Sequence, residues 1–166
     1  MGRRAKKDEE ITLDSKDLKI LSVLQREGRI TLRELAKKVG SPVTTVHSRL
    51  KKLEKMGVIK GYRAIVSPEK LGLKTLAFVL VSFTKEPGLS QREVAKRIAE
   101  FPEVQEVHII TGDWDMVVKV RVTDVNELGQ FVIDKLRSIT GVEKTLTCVV
   151  LDTLKESTMF RLKIQK

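Results

Sequence analysis

Thr44, Thr45, Ser48, Lys51 and Lys52 recur at helical spacing and would share one side of a helix, with His47 and Arg49 on its flanks and Ser41 just ahead of it. Short hydroxyls can approach base edges closely and the longer cations can reach phosphates, so this set suits recognition of a nucleic acid. The plainer alternative is a solvated face, because lysine-rich helix faces are common. No set of residues suits catalysis as well. His47 and His108 fall in different expected domains, and Cys148 lies in an apolar strand segment and reads as core. Asp113 and Asp115 could hold a cation, but two carboxylates on one turn make a weak site. No glycine-rich phosphate loop, metal-ligand spacing or nucleophile elbow is present. Neither an enzyme nor a resident cofactor or metal is expected.

The helix carrying that face, about residues 42–56, must be held from its other side. Val43, Val46, Leu50 and Leu53 fall within roughly 80° of one another on a helical wheel and should face a core. Two shorter helices precede it. The first is capped by Asp14 or Ser15 with Asp17 in its first turn, carries Leu18, Leu21 and Leu24, and stops by Gly28. The second is capped by Thr31 with Glu34 at capping-box spacing, and Leu32, Leu35, Ala36 and Val39 point inward. In Gly40-Ser41-Pro42, glycine supplies the left-handed stop, serine a cap and proline the first helical position. Helix, tight turn and polar outer helix make a helix-turn-helix pattern. Val58–Val66 reads as two short strands about Lys60-Gly61, a wing.

Charge agrees with that reading. The 166 residues carry a formal net charge of +10, which favours a polyanionic partner. Residues 1–66 hold 17 Lys and Arg against 8 Asp and Glu, whereas residues 67–166 hold 15 against 14. The excess therefore sits with the helix-turn-helix. Residues 1–12 read as a charged mobile tail, or as a basic arm reaching phosphate through Arg3, Arg4, Lys6 and Lys7. A single cysteine, no apolar segment in MGRRAKKDEE and no long apolar run point to the cytoplasm, with no membrane partner.

The second half changes rhythm. After a hinge at 67–74, Thr75–Thr84 is a nearly continuous apolar run, a strand covered on both faces. Ser90 caps a helix with Val94, Ala95, Ile98 and Phe101 on one side. Strands follow at Val104–Ile110 and Asp115–Thr123, joined by the tight turn Thr111-Gly112-Asp113-Trp114. Asp124 caps a helix with Val125, Leu128, Val132, Leu136 and Ile139 inward, and Val142–Leu154 is a last strand. The fold class is α+β: a winged helix-turn-helix at 13–66, then a ferredoxin-like βαββαβ sandwich at 75–166. Such a sheet leaves one face bare. Val79, Val81, Val118, Val120, Val149 and Leu151 are expected to bury it against another copy of the chain.

Three stretches in this order, LDSKDLKILSVLQREGRITLRELAKKVG, SPVTTVHSRLKKLEKMGVIKGYRAIVSPEKLG and TGDWDMVVKVRVTDVNELGQFVIDKLRSITGVEKTLTCVVLDTLK, resemble the Lrp/AsnC, or feast/famine, family of transcription regulators over residues 13 to about 157. A lone asparagine, Asn126, and abundant Lys and Glu suggest a heat-adapted source, to which the resemblance adds an archaeal one. The resemblance implies a winged helix-turn-helix that binds double-stranded DNA and an αβ domain that dimerises. It also implies further assembly into tetramers or octamers, and an amino-acid effector held near a Gly-x-x-Asp turn between dimers. The matching residues are Gly112, Asp113, Trp114 and Asp115. Exposed N–H groups about a glycine can take a carboxylate, an Asp can hold an ammonium, and an aromatic ring supplies an apolar wall. The family usually has Tyr or Phe where this chain has Trp114, which would reshape the pocket. A plain hairpin turn with Trp114 at an interface is the alternative. Two rival functions stay open: a chromatin-like DNA binder of low specificity, and a small-molecule sensor or allosteric subunit.

Overall fold

The computed structural model describes residues 12–84 and 87–163. Its backbone divides into two compact units, one reaching Ile65 and regaining the chain from Glu156, the other running Val66–Lys155. The charged tail with Arg3, Arg4, Lys6 and Lys7 lies outside the described residues.

The first unit has three helices, α1 (Ser15–Leu24), α2 (Leu32–Val39) and α3 (Val43–Lys55). Local sequence sets their starts. Asp14 caps α1 in a capping box with Asp17, and Thr31 caps α2 in another with Glu34. Gly40 stops α2 at φ +69°, where a side chain would be strained. Ile20, Leu35, Ala36, Val39, Val46 and Leu53 form the core, with Leu13, Leu24, Leu50 and Ile59 packed against it.

Four details depart from the sequence reading. α3 begins at Val43 with Pro42 in the cap position, and Ser41 makes no cap. Val43 overhangs the core and is 40% exposed, so the inward stripe is Val46, Leu50 and Leu53. α1 ends at Leu24 rather than by Gly28, and its most buried residues are Asp17 and Ile20. The wing strands do not form among the described residues, and 58–66 runs on without strand pairing. A two-residue hairpin needs positive φ at its first central position, or at both, but among the described residues only glycines have positive φ and here Gly61 stands second.

In the second unit, β1 (Thr75–Phe83), α4 (Gln91–Ala99), β2 (Val104–Ile109), β3 (Met116–Val122), α5 (Val125–Gln130) and β4 (Val142–Val149) give the sheet order β2-β3-β1-β4. All pairings are antiparallel, as a ferredoxin-like sandwich requires. α5 runs on into a π-helical turn, Phe131–Leu136. Phe131 and Leu136, five residues apart, both enter the core, whereas Val125, expected inward, is 62% exposed. Gly141 is fixed by space, because a Cβ there would lie 2.5 Å from Leu89 and 2.9 Å from Val94. β4 stops at Val149, short of the expected Leu154.

The sheet corrects one expectation by a single residue of parity. Val79, Val81, Val118 and Val120 are fully buried under the helices and are not the bare face. The face turned away from the helices carries Phe78, Leu80, Val117, Leu146 and Cys148, with Glu106, His108 and Lys119; only its end is covered, where Leu76 and Arg121 are buried and Arg121 pairs with Glu69. β1 is thus covered by helices on one face within its unit, and Cys148, read as core, is exposed. Side chains alternate along a strand, so choosing the wrong parity moves every residue to the opposite face.

Candidate nucleic-acid interface

α3 is built from two unlike sides. Val46 and Leu53 are fully buried and Leu50 half-buried, which fixes the helix by its inner stripe. Thr44, His47, Ser48, Lys51, Lys52 and Lys55 are then exposed, and Thr45 is half-buried. The expected reading residues therefore stand together on the outer side. Ser48 turns its hydroxyl back to the Thr45 carbonyl at 2.9 Å, a bond that leaves its oxygen able to accept. Among the described residues, Lys51 and Lys52 have no ion pair.

The start of α3 differs from every other helix start. Asp14, Thr31, Ser90 and Asp124 cap α1, α2, α4 and α5, each with an acid in the first turn. α3 has neither a capping side chain nor a first-turn acid. The Ser41 hydroxyl is buried beside this end with no hydrogen-bond partner. The free N–H groups and the positive dipole end of the helix stay uncompensated, a setting that suits an anion.

Arg49 behaves differently from its neighbours. Its Nη1 donates to Asp14 Oδ2 at 2.6 Å and to Asp17 Oδ1 at 2.8 Å. The two carboxylates raise the guanidinium further above its ordinary value, Asp14 acting most. The Asp14 carboxyl is held below its ordinary value, first by the Asp17 N–H and then by Arg49. Sequence reasoning missed Asp17 as a functional candidate. The available signal was an acid three residues before Ile20, on the side of α1 that enters the core. Tyr62, read only as wing, donates its hydroxyl to Glu54 of α3 at 3.0 Å. Burial, and then Glu54, push its phenol up to about 12.

The turn at Gly112–Asp115 brings its residues together but divides their roles. Ile110 N–H donates to the Asp115 carbonyl at 2.9 Å and Asp115 N–H to the Val81 carbonyl at 3.1 Å, closing the turn. The Asp115 carboxylate accepts the Phe83 N–H at 2.8 Å and is 3.3 Å from Gln91 Nε2. It therefore ties the end of β1 and the start of α4 to the turn. Gly112, at φ +119°, and Asp113 are exposed, and Trp114 is half-buried. Asp113 has no hydrogen bond among the described residues. Its carboxylate is the one the turn leaves outward.

His108 pairs with Glu106 at 3.1 Å, and no cluster of three or more His, Cys, Asp or Glu gathers for a metal among the described residues. No helix there is long and apolar enough to cross a membrane.

Comparison with known proteins matches a winged helix-turn-helix DNA-binding profile to residues 13–60 and an Lrp/AsnC ligand binding domain to residues 76–160. An uncharacterized HTH-type transcriptional regulator of Pyrococcus abyssi is 46% identical over 87% of this chain and 96% of its own length. The HTH-type transcriptional regulator FL11 of Pyrococcus horikoshii is 45% identical over 92% of this chain and 99% of its own. Among solved structures, a Neisseria meningitidis transcriptional regulator in complex with L-Met superimposes with a TM-score of 0.85. It is 36% identical and covers 90% of this chain and 97% of its own.

Proposed function

The chain belongs to the Lrp/AsnC family of transcription regulators, and from that premise we propose that it reads double-stranded DNA through the outer side of α3 as a homo-oligomer tuned by an amino acid. Thr44, Thr45, His47 and Ser48 address base edges near the helix start, where the uncapped N–H groups face phosphate and Ser41, its hydroxyl buried, lies in the turn ahead. Lys51 and Lys52 hold the backbone further along. The observation that carries this reading is the contrast on α3 between a buried Val46–Leu53 stripe and an exposed hydroxyl-and-lysine side.

One such helix contacts too few base pairs to be selective, so two copies are needed. The bare sheet face of Phe78, Leu80, Val117 and Leu146 supports pairing of chains, because an apolar strand face left in water is costly. Pairing brings two copies of α3 to one duplex, and half-sites should lie about one helical turn apart or a multiple of it. The turn at Gly112–Asp115 is the effector grip. Its N–H groups suit a carboxylate, the Asp113 carboxylate an ammonium and Trp114 the wall, while Asp115 holds the turn in shape. An amino acid there acts by binding one assembly more tightly than another. A regulator of this kind would act in the cytoplasm.

The test is the triple substitution Ser48→Ala, Lys51→Ala and Lys52→Ala in the full chain. Affinity for a duplex selected from a randomised pool by the wild type should fall at least 100-fold with the oligomer intact. The salt dependence of log K should flatten by about two, one for each lysine. Undiminished binding would place the reading surface elsewhere. Equal wild-type affinity for selected and random duplexes across a salt series would favour the chromatin-like alternative.

A further inference from the structure

We propose that Arg49 is a positioning residue for DNA reading, one that braces α3 against the start of α1 through Asp14 and Asp17, rather than a contact to DNA. The proposal rests on α3 being the reading helix. The Asp17 side chain is only 3% exposed, and its partner at 2.8 Å is Arg49. A carboxylate so buried needs a cation beside it, and removing that cation leaves an uncompensated charge. Asp14 closes the brace at 2.6 Å. Its other carboxylate oxygen accepts the Lys16 and Asp17 N–H groups at 2.9 Å each, and Asp17 accepts the Asp14 N–H at 3.2 Å. The guanidinium thus meets two acids whose own positions are fixed by the capping box of α1.

Among the described residues, the two bonds from Arg49 are the polar links between α3 and the start of α1. The remaining contacts are aliphatic, through Ile20, Val46, Leu50 and Leu53. Apolar packing is non-directional, and it leaves rotation and sliding of α3 weakly specified. A single guanidinium nitrogen that bridges two fixed carboxylates, with N–H directions set by the planar group, specifies both. Arg49 lies next in sequence to Ser48 and two residues before Lys51, so the brace acts in the middle of the reading surface. Lys51 and Lys52 extend into solvent, whereas Arg49 is turned inward.

The charge of Asp17 makes the test decisive. If that charge mattered only through space, removing an anion beside a DNA-binding surface would strengthen binding. Positioning requires the opposite. Asp17→Asn in the full chain should weaken binding to the selected duplex about tenfold and to a random duplex less, so that the specificity ratio falls. Arg49→Met should do the same, and the double variant should be no worse than the worse single, because both cut one link. Arg49→Lys should recover part of the ratio, since an ammonium keeps the charge but not the reach and fixed N–H directions of the guanidinium. Far-UV circular dichroism identifies the folded variants; if Asp17→Asn is unfolded, the exposed leg is cut instead with Asp14→Asn, expected to give a smaller loss of the same kind. The proposal is overturned if the acid-to-amide variant binds as tightly as wild type or tighter. It is also overturned if Arg49→Met weakens both duplexes equally and lowers the salt slope by about one, the mark of a phosphate contact. Failure of the brace leaves the reading surface standing, because Ser48, Lys51 and Lys52 are tested separately.

Discussion

The outer side of α3 and the bare side of the sheet are both faces that their own unit leaves uncovered, yet one offers hydroxyls and lysines and the other Phe78, Leu80, Val117 and Leu146. Each face sits opposite a stripe of fully buried residues, Val46 and Leu53 in α3 and Val79, Val81, Val118 and Val120 in the sheet. The same device, one side buried to fix the element and one side free, is therefore used for two kinds of partner. A cationic, hydrogen-bonding face suits a polyanion whose charge does most of the attraction. An apolar face with few charges suits a second protein surface, of which another copy of the chain is the simplest.

The largest effect expected from this contrast is on the sheet. Phe78→Asp puts a carboxylate in the middle of the uncovered face without touching the helix-covered core. Self-association measured by analytical ultracentrifugation should weaken about 100-fold or more, equivalent to roughly 2.7 kcal/mol, while the chain stays folded. Its neighbour in the sequence gives the opposite result: Val79→Asp buries an unpaired charge and should prevent folding. If Phe78→Asp sediments as wild type does, the bare face is not where copies meet.

These neighbours also mark how far the sequence could be read. Most helix starts were legible, though not the cap expected from Ser41. The caps at Asp14, Thr31, Ser90 and Asp124 depend on residues within four positions, and all four form. Strand alternation was legible too, but which parity faces the helices is decided by tertiary packing. The clue was Lys119 and Arg121 between Val118, Val120 and Val122, since the valine side is the one that can be sealed. The two short strands expected about Lys60-Gly61 do not form among the described residues, because a Lys-Gly pair resembles a turn signal without providing the positive φ that its first position needs. The Arg49–Asp17 pair joins residues 32 apart, and no local pattern announces it. The turn at Gly112–Asp115 could be located, but not the inward role of Asp115, which depends on where β1 ends and α4 begins.

A smaller effect separates acids spent inward from a helix start left free. Glu34 closes the box on Thr31, whose hydroxyl lies 2.7 Å away and whose N–H lies at 3.1 Å. The hydroxyl, and then the N–H, hold the Glu34 carboxyl below its ordinary value near 4.5. A carboxyl depressed on folding contributes stability that is fully present above its unfolded value and is lost as pH falls through the folded one. Thr31→Ala removes the helix cap and, as loss of a cap generally does, should cost about 1 kcal/mol near neutral pH by urea unfolding. The gap from wild type should narrow as the pH drops below about 4.5. A gap independent of pH would mean that the Glu34 arm of the box contributes nothing.

The smallest effect tests the uncapped start of α3 and is the most informative in sign. Val43 is the first residue of α3, 40% exposed and outside the proposed reading set. Val43→Glu supplies the first-turn acid that α1, α2, α4 and α5 already have. An acid near a helix N-terminus stabilises by about 0.3–1 kcal/mol, partly offset here by lost apolar contact, so unfolding should show a gain of a few tenths. DNA affinity should move the other way. The added carboxylate occupies the field that the free N–H groups offer a phosphate, and fluorescence anisotropy at low salt should show binding several-fold weaker. The deficit should shrink as salt is raised, because the repulsion acts across solvent. A variant that is more stable and binds DNA as wild type does would mean that the missing cap is an accident of sequence. A variant that gains stability while losing affinity would mean that α3 forgoes a cap in order to keep its positive end for DNA.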